Sequence, residues 1–164
     1  MHNLIARNVC LVTTGDLKLE KQVCFALYAA SRAVTNLYRP VLDALGLTYP
    51  QYLVMLVLWE RGPATVKELG TALDLDSGTL SPLLKRLEAA GLVRRRRCAE
   101  DERVVRIHLT EAGDALRARA TGVPRKLSGA TGMALADLEE LRENLVRLTQ
   151  EITAHQEETR RGSS

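Results

Sequence analysis

The sequence is poor in aromatic residues, cysteine and histidine, and each shortage narrows what the chain can be. One Trp, one Phe and four Tyr among 164 residues leave little for a β-sandwich core. Leu and Ala are abundant, which favours helices instead. The three cysteines, Cys10, Cys24 and Cys98, are odd in number and widely spaced, a pattern of neither a disulfide framework nor a zinc site. The three histidines, His2, His108 and His155, fall in unrelated segments without ligand spacing, so no metal and no other cofactor is expected. No run of about eighteen apolar residues appears, so no membrane span is expected. The first sixteen residues lack the long apolar stretch and small-residue cleavage site of a signal peptide, and the expectation is a cytoplasmic protein. There is no internal repeat. The net charge of +3 is modest, so the placement of the basic residues matters more than their sum.

What is present is helical periodicity, interrupted once. Asp16 is positioned to cap a first helix, along which Val23, Leu27, Ala30, Val34, Leu37 and Val41 form one apolar stripe. Pro40 is expected to kink or end it and Gly46 to stop it. Thr48-Tyr49-Pro50-Gln51 opens a second helix as a capping box, and Thr65-Val66-Lys67-Glu68 opens a short third one in the same way. After a turn at Asp74-Leu75-Asp76, a helix from about Ser77 buries Leu80, Leu83, Leu84 and Leu87 and ends at Gly91. Two short helices around a tight turn make a helix-turn-helix. The period then changes to two, with one strand from Leu92 to Arg97, a charged loop, and a second strand from Val105 to Leu109. A β-hairpin in that place is a wing. Thr110 starts a helix expected to run to about Pro124, and a Gly/Ser-rich linker spans 128–132. A last helix from near Leu135 carries Leu138, Leu141, Leu145, Leu148 and Ile152 at a/d spacing, which suits packing against another helix, including one from a second subunit.

The fold class is therefore mainly α with a small β-hairpin: a winged helix-turn-helix with N- and C-terminal helices forming a dimerisation region. Residues 1–16 form an extension, 17–46 a dimerisation helix, 47–110 the DNA-binding domain, 111–157 C-terminal dimerisation helices, and 158–164 a frayed tail.

The fourth helix turns Ser77, Gly78, Thr79, Ser81 and Pro82 outward at its start, followed by Lys85 and Arg86. Short hydroxyls allow close approach to a major groove, and the two cations suit phosphate. Arg94 to Arg97 put basic side chains on both faces of the wing, with Arg95 expected on DNA. Arg103 at the hairpin tip suits a minor groove, and Asp101 is expected to pin that tip. The same residues, taken alone, also suit an ordinary solvated face.

The wing stretch from Asp101 through Arg103 to Leu109-Thr110 resembles the MarR family of bacterial regulators. Gln22 to Tyr28, Tyr38, Thr48 to Leu53 and Leu75 to Leu80 resemble, more narrowly, its organic hydroperoxide resistance regulators. That resemblance covers roughly 17–151. It implies a homodimeric repressor on palindromic double-stranded operator DNA, released when an organic hydroperoxide oxidises a first-helix cysteine, so that a peroxide-detoxification gene is derepressed. The matching position is Cys24, the supporting tyrosines match Tyr38 and Tyr49, and DNA contacts match Ser77, Thr79, Arg86 and Arg103. Some members form an intersubunit disulfide through a second cysteine late in the chain. No cysteine follows Cys98 here, which implies the one-Cys type, completed by a low-molecular-weight thiol in mixed disulfide with Cys24. Cys10, on the extension, is a competing partner.

From the residues alone, Cys24 among Val23, Phe25 and Leu27 reads as a small buried hydrophobe. Tyr28 lies four residues on, on the same helical face. Tyr38 lies fourteen residues on, about 21 Å along the axis, so it reaches Cys24 only from a second subunit with an antiparallel first helix. With a helix starting at Asp16, Cys24 lies beyond the first turn and the helix dipole contributes little. Two rivals carry different tests: a repressor released by a small phenolic ligand loses DNA with Cys24 still reduced, and a thiol peroxidase using Cys24 turns over hydroperoxide. With no Cys-x-x-Cys pair, and only Arg32 near Cys24, an enzyme is not expected.

Overall fold

A computed structural model describes residues 17–97 and 104–162, with the side chains of 125–128 left aside. A single 3₁₀ turn, Leu19–Lys21, precedes helix α1, Val23–Asp43. The start expected at Asp16 lies outside the described residues. The helix itself begins at Val23, after Gln22, which provides no side-chain cap. Pro40 neither ends nor interrupts α1, which runs three residues past it and closes at Gly46 with Leu47 N–H donating to the Leu42 carbonyl (3.0 Å). A proline costs a helix one N–H donor, and here the helix carries that loss near its end.

Helix α2 (Tyr49–Arg61) starts as expected, with the Thr48 N–H and hydroxyl both donating to Gln51 Oε1 (2.8 and 3.0 Å). It is the centre of the core: Tyr52, Val54, Met55, Leu58 and Trp59 are buried. A two-residue strand β1 (Ala64–Thr65) leads into α3 (Val66–Leu73), where the capping box of Thr65 and Glu68 is complete in both directions (2.6 and 3.1 Å). Helix α4 (Ser77–Ala89) follows the left-handed Asp74 and buries Leu80, Leu84 and Leu87. The turn between α3 and α4 is tight enough that a Cβ on Gly70 would stand 2.7 Å from the Leu75 carbonyl oxygen.

Strands β2 (Val93–Arg97) and β3 (Val105–Leu109) form the wing. The hairpin expected from the sequence is part of a three-stranded antiparallel sheet of order β1-β3-β2, because Ala64 and Thr65 pair with Ile107 and Arg106. Two residues carry no readable alternation, which is why β1 is silent in the sequence. Helix α5 (Glu111–Ala120) is capped by Thr110, whose oxygen accepts the Gly113 N–H (3.0 Å) while its hydroxyl donates to the Gly91 carbonyl (2.6 Å). Gly113 packs so closely on the preceding turn that a Cβ there would meet the Leu92 carbonyl oxygen at 2.0 Å. The Trp59 indole N–H donates to the Gly113 carbonyl (2.9 Å, buried), and one Arg119 guanidinium nitrogen donates to the Ala44 carbonyl (2.7 Å), tying α5 to α2 and to the end of α1.

The chain divides into two compact units between Thr121 and Gly122. In the second, Pro124 does not close α5. It stands in the first turn of a separate helix, α6 (Val123–Ala130), where a missing N–H is harmless. The expected Ser/Gly linker is thus helical as far as Ala130, and only 131–134 remain as the connection. Helix α7 (Leu135–Gly162) continues through most of the tail expected to fray, and no residue of it is buried within one chain.

Candidate DNA interface and thiol site

The start of α4 is held by a residue of the preceding turn. Asp76 is the N-cap: its Oδ1 accepts the Thr79 N–H and its Oδ2 accepts the Thr79 hydroxyl, both at 2.8 Å. Those hydrogen bonds from Thr79 hold the Asp76 carboxyl below its ordinary value, so it is ionised at neutral pH. The signal was available as an acidic residue three places before Thr79, the spacing of a side-chain cap. Ser77 and Thr79, with Lys85 and Arg86, are exposed on α4, while Ser81 is half-buried and donates to the Ser77 carbonyl (2.7 Å). Two of the expected DNA-facing hydroxyls therefore spend their protons within their own helix and offer acceptor lone pairs outward.

Register sorts the wing arginines. Val93, Arg95 and Arg97 pair with Leu109, Ile107 and Val105, and so share the sheet face that carries buried Ile107. Arg94 and Arg96 pair with His108 and Arg106 on the opposite face. Arg95, expected on DNA, is also engaged by α4: its Nε lies 3.3 Å from Glu88 Oε2 and its backbone N–H donates to Glu88 Oε1 (3.1 Å). It fastens the wing to the helix. His108 is half-buried, and its burial together with Arg96, Arg94 and Arg106 holds it below the ordinary histidine value. Arg103, Asp101 and Cys98 lie outside the described residues.

Cys24 is a free, exposed thiol and the second residue of α1. The later start of the helix corrects the expectation about its dipole. Cys24 sits within the first turn and not beyond it. The exposure likewise replaces the buried, inert cysteine that its apolar neighbours suggest. Tyr28 is exposed, and its hydroxyl accepts from Arg32 Nη1 (2.9 Å), with the guanidinium 5.6 Å from the ring centroid. Arg32 and Tyr28 thus form an i, i+4 pair on α1. Tyr38 and Tyr49 meet at 4.8 Å between ring centroids, Tyr38 lies 6.1 Å from Tyr52, and Tyr52 lies 6.4 Å from Trp59, edge to face. Burial, then neighbouring Tyr49 and Tyr52, push Tyr38 above the ordinary phenol value, so it stays a protonated donor. Because α1 is continuous from Val23 to Asp43, Tyr38 and Cys24 of one chain stand on different parts of the helix.

Among the described residues no helix is long and apolar enough to cross a membrane, and no cluster of potential metal ligands occurs. The family model for the transcriptional regulators SarA/Rot matches residues 36–119. The organic hydroperoxide resistance transcriptional regulator of Bacillus subtilis is 49% identical over 140 residues, covering 85% of this chain and 94% of that protein. The HTH-type transcriptional regulator TtmR of Methylorubrum extorquens is 51% identical over 136 residues, covering 83% of this chain and 70% of that one. Among solved structures, AbfR of Staphylococcus epidermidis bound to DNA, reduced and overoxidised, is 36% identical, with TM-scores of 0.68 and 0.67 over 82% of this chain and 94% of that one.

Proposed function

Because the chain belongs to the MarR family of winged-helix transcriptional regulators, on the branch of the organic hydroperoxide resistance regulators, we propose that it is a redox-sensing repressor. A homodimer holds a palindromic operator while Cys24 is reduced and leaves it when an organic hydroperoxide oxidises that thiol. The observation that carries this reading is the position of Cys24: exposed, in the first turn of a helix whose other end is tied to the winged helix by the Tyr38–Tyr49–Tyr52 cluster and by Arg119.

Dimerisation supplies what one chain lacks. Val23 and Val34 of the α1 stripe, and Leu141, Leu145 and Ile152 of the α7 seam, are exposed in a single chain. Paired antiparallel first helices bring Tyr38 of one subunit to Cys24 of the other. The thiolate attacks the terminal oxygen of the hydroperoxide, the S–O bond forms as the O–O bond breaks, and the departing alkoxide takes a proton to leave as the alcohol. The resulting sulfenic acid condenses with a low-molecular-weight thiol, releasing water and leaving a mixed disulfide. The added bulk separates Cys24 from Tyr38, α1 shifts, and the half-site spacing is lost. Ser77, Thr79, Ser81, Lys85, Arg86, Arg95 and Arg103 make the DNA contacts.

The test is a gel shift on the promoter region with reduced protein, hydroperoxide-treated protein, and treated protein returned to thiol. Wild type releases DNA on treatment and recovers it with thiol, while Cys24→Ser stays bound throughout. Release of Cys24→Ser by hydroperoxide would sink the reading. Mass spectrometry of the treated wild type shows one small thiol added at Cys24, and a disulfide to Cys10 would replace the one-Cys scheme.

A further inference from the structure

The far end of α1 is completed from another helix. Helix α1 closes on Asp43, carries no basic residue in its last turn, and takes Ala44 as its C-cap. Its last carbonyls gather partial negative charge, and the last turn supplies no cation to offset it. Arg119, in the last turn of α5, supplies one: its Nη2 donates to the Ala44 carbonyl at 2.7 Å. The start of the same α5 is fixed to the winged helix. Thr110, its N-cap, donates to the Gly91 carbonyl just past α4 (2.6 Å). Gly113 leaves no room for a Cβ against the Leu92 carbonyl, and Trp59 of α2 donates to the Gly113 carbonyl (2.9 Å). Gly113 and Arg119 are about 9 Å apart along the helix axis. One short helix therefore joins the turn before the wing to the end of α1. The other link between α1 and the winged helix is of a different kind. Tyr38 meets Tyr49 and Tyr52 through ring contacts at 4.8 and 6.1 Å. Apolar packing is non-directional, whereas a hydrogen bond weakens steeply once donor and acceptor leave their line.

We propose that Arg119 is a positioning residue of the switch. By pinning Ala44 to α5 it fixes the pivot about which α1 turns. Displacement at the Cys24 end, about 30 Å away along the helix, then swings α1 against the winged helix, where a loose end would let α1 slide past it. Arg119 touches neither the thiol nor DNA in this scheme; it carries the motion between them. The proposal rests on the redox reading above and adds to it the residue through which α1 acts on α5.

The experiment compares full-length wild type with Arg119→Met, which removes the donors, and Arg119→Lys, which keeps one within reach. Operator affinity is measured for the reduced protein and for protein fully oxidised with cumene hydroperoxide and glutathione. Thiol labelling follows the rate at which Cys24 is consumed. In Arg119→Met the ratio of reduced to oxidised affinity falls about fivefold, the size of one exposed hydrogen bond to a charged donor, while Cys24 is consumed at the wild-type rate. Arg119→Lys retains most of the ratio. A purely structural role lowers the melting temperature of Arg119→Met and leaves the ratio at its wild-type value, which overturns the proposal. A ratio as low in Arg119→Lys as in Arg119→Met overturns the hydrogen bond as its cause, and slower consumption of Cys24 would move Arg119 to the thiol, which overturns it also. If Arg119→Met does not fold, Arg119→Gln, whose amide falls short of Ala44, takes its place with the same outcomes. Equal affinity of reduced and oxidised wild type defeats the redox reading itself, before any variant is compared.

Discussion

The winged helix and the first half of α1 are built to different standards of completeness. From Leu47 to Ala120 one chain supplies its own core, its own caps and its own glycine contacts: Leu69, Leu80, Leu84, Leu87 and Ile107 are fully buried, and Thr65, Asp76 and Thr110 each cap a helix. Along α1, by contrast, Leu42 is the one buried residue, while Val23, Phe25, Tyr28 and Val34 stand exposed. The winged helix is finished by one chain, whereas the proposed sensing helix leaves an apolar face that a second chain would finish. On the proposed reading, a pocket that exists only in the dimer would couple chemistry at Cys24 to the spacing of the winged helices, because both would depend on the same helix pairing.

The comparison breaks most decisively at Val34. A Val34→Asp substitution places a charge on the unfinished stripe and leaves the winged helix untouched. Sedimentation should show monomers, and operator affinity should drop about a thousandfold as the two half-sites are no longer engaged together, with circular dichroism unchanged. A dimer that binds normally would mean that α1 is not the shared element. Next comes Gly113→Ala, aimed at the finished part. Its Cβ has no room beside the Leu92 carbonyl, and chemical denaturation should register a loss of about 3 kcal/mol. Asp76→Ala sharpens the link between capping and reading. Removing the cap of α4 should lower stability slightly and weaken operator binding without altering hydroperoxide sensitivity. The smallest effect concerns pH. Since the His108 value is lowered by folding, the unfolded chain takes up the proton first, so this contribution to stability is present above the ordinary histidine range and is lost as pH falls through it. His108→Gln should flatten the dependence of melting temperature on pH near 6, and a wild-type profile in that variant would remove His108 from the account.

Legibility followed the same division. Capping boxes and period changes are local, and so the starts of α2 and α3 and both wing strands were readable from the sequence. Features that depend on distant pairing were not. Strand β1 exists because Ala64 and Thr65 meet β3, and the partition of Arg94 to Arg97 between two faces needs the register with β3. The start of α1 was not legible, because an acidic residue before an apolar stripe resembles a cap whether or not the chain is helical there, and the first-turn position of Cys24 went unread with it. Tyr38, Tyr49 and Tyr52 belong to separate helices, and their convergence is a property of packing. Resemblance pointed to Tyr38 and Tyr49 but not to Tyr52.

The cluster has an optical consequence. Three of the four tyrosines lead by ring contacts to the single tryptophan, and that indole is hydrogen-bonded to the Gly113 carbonyl. Tyrosines this close to one indole are placed to pass absorbed light to it, and Tyr38 sits on α1. If α1 moves as proposed and draws Tyr38 away, the yield of that transfer would change, giving an intrinsic fluorescent gauge of the proposed switch.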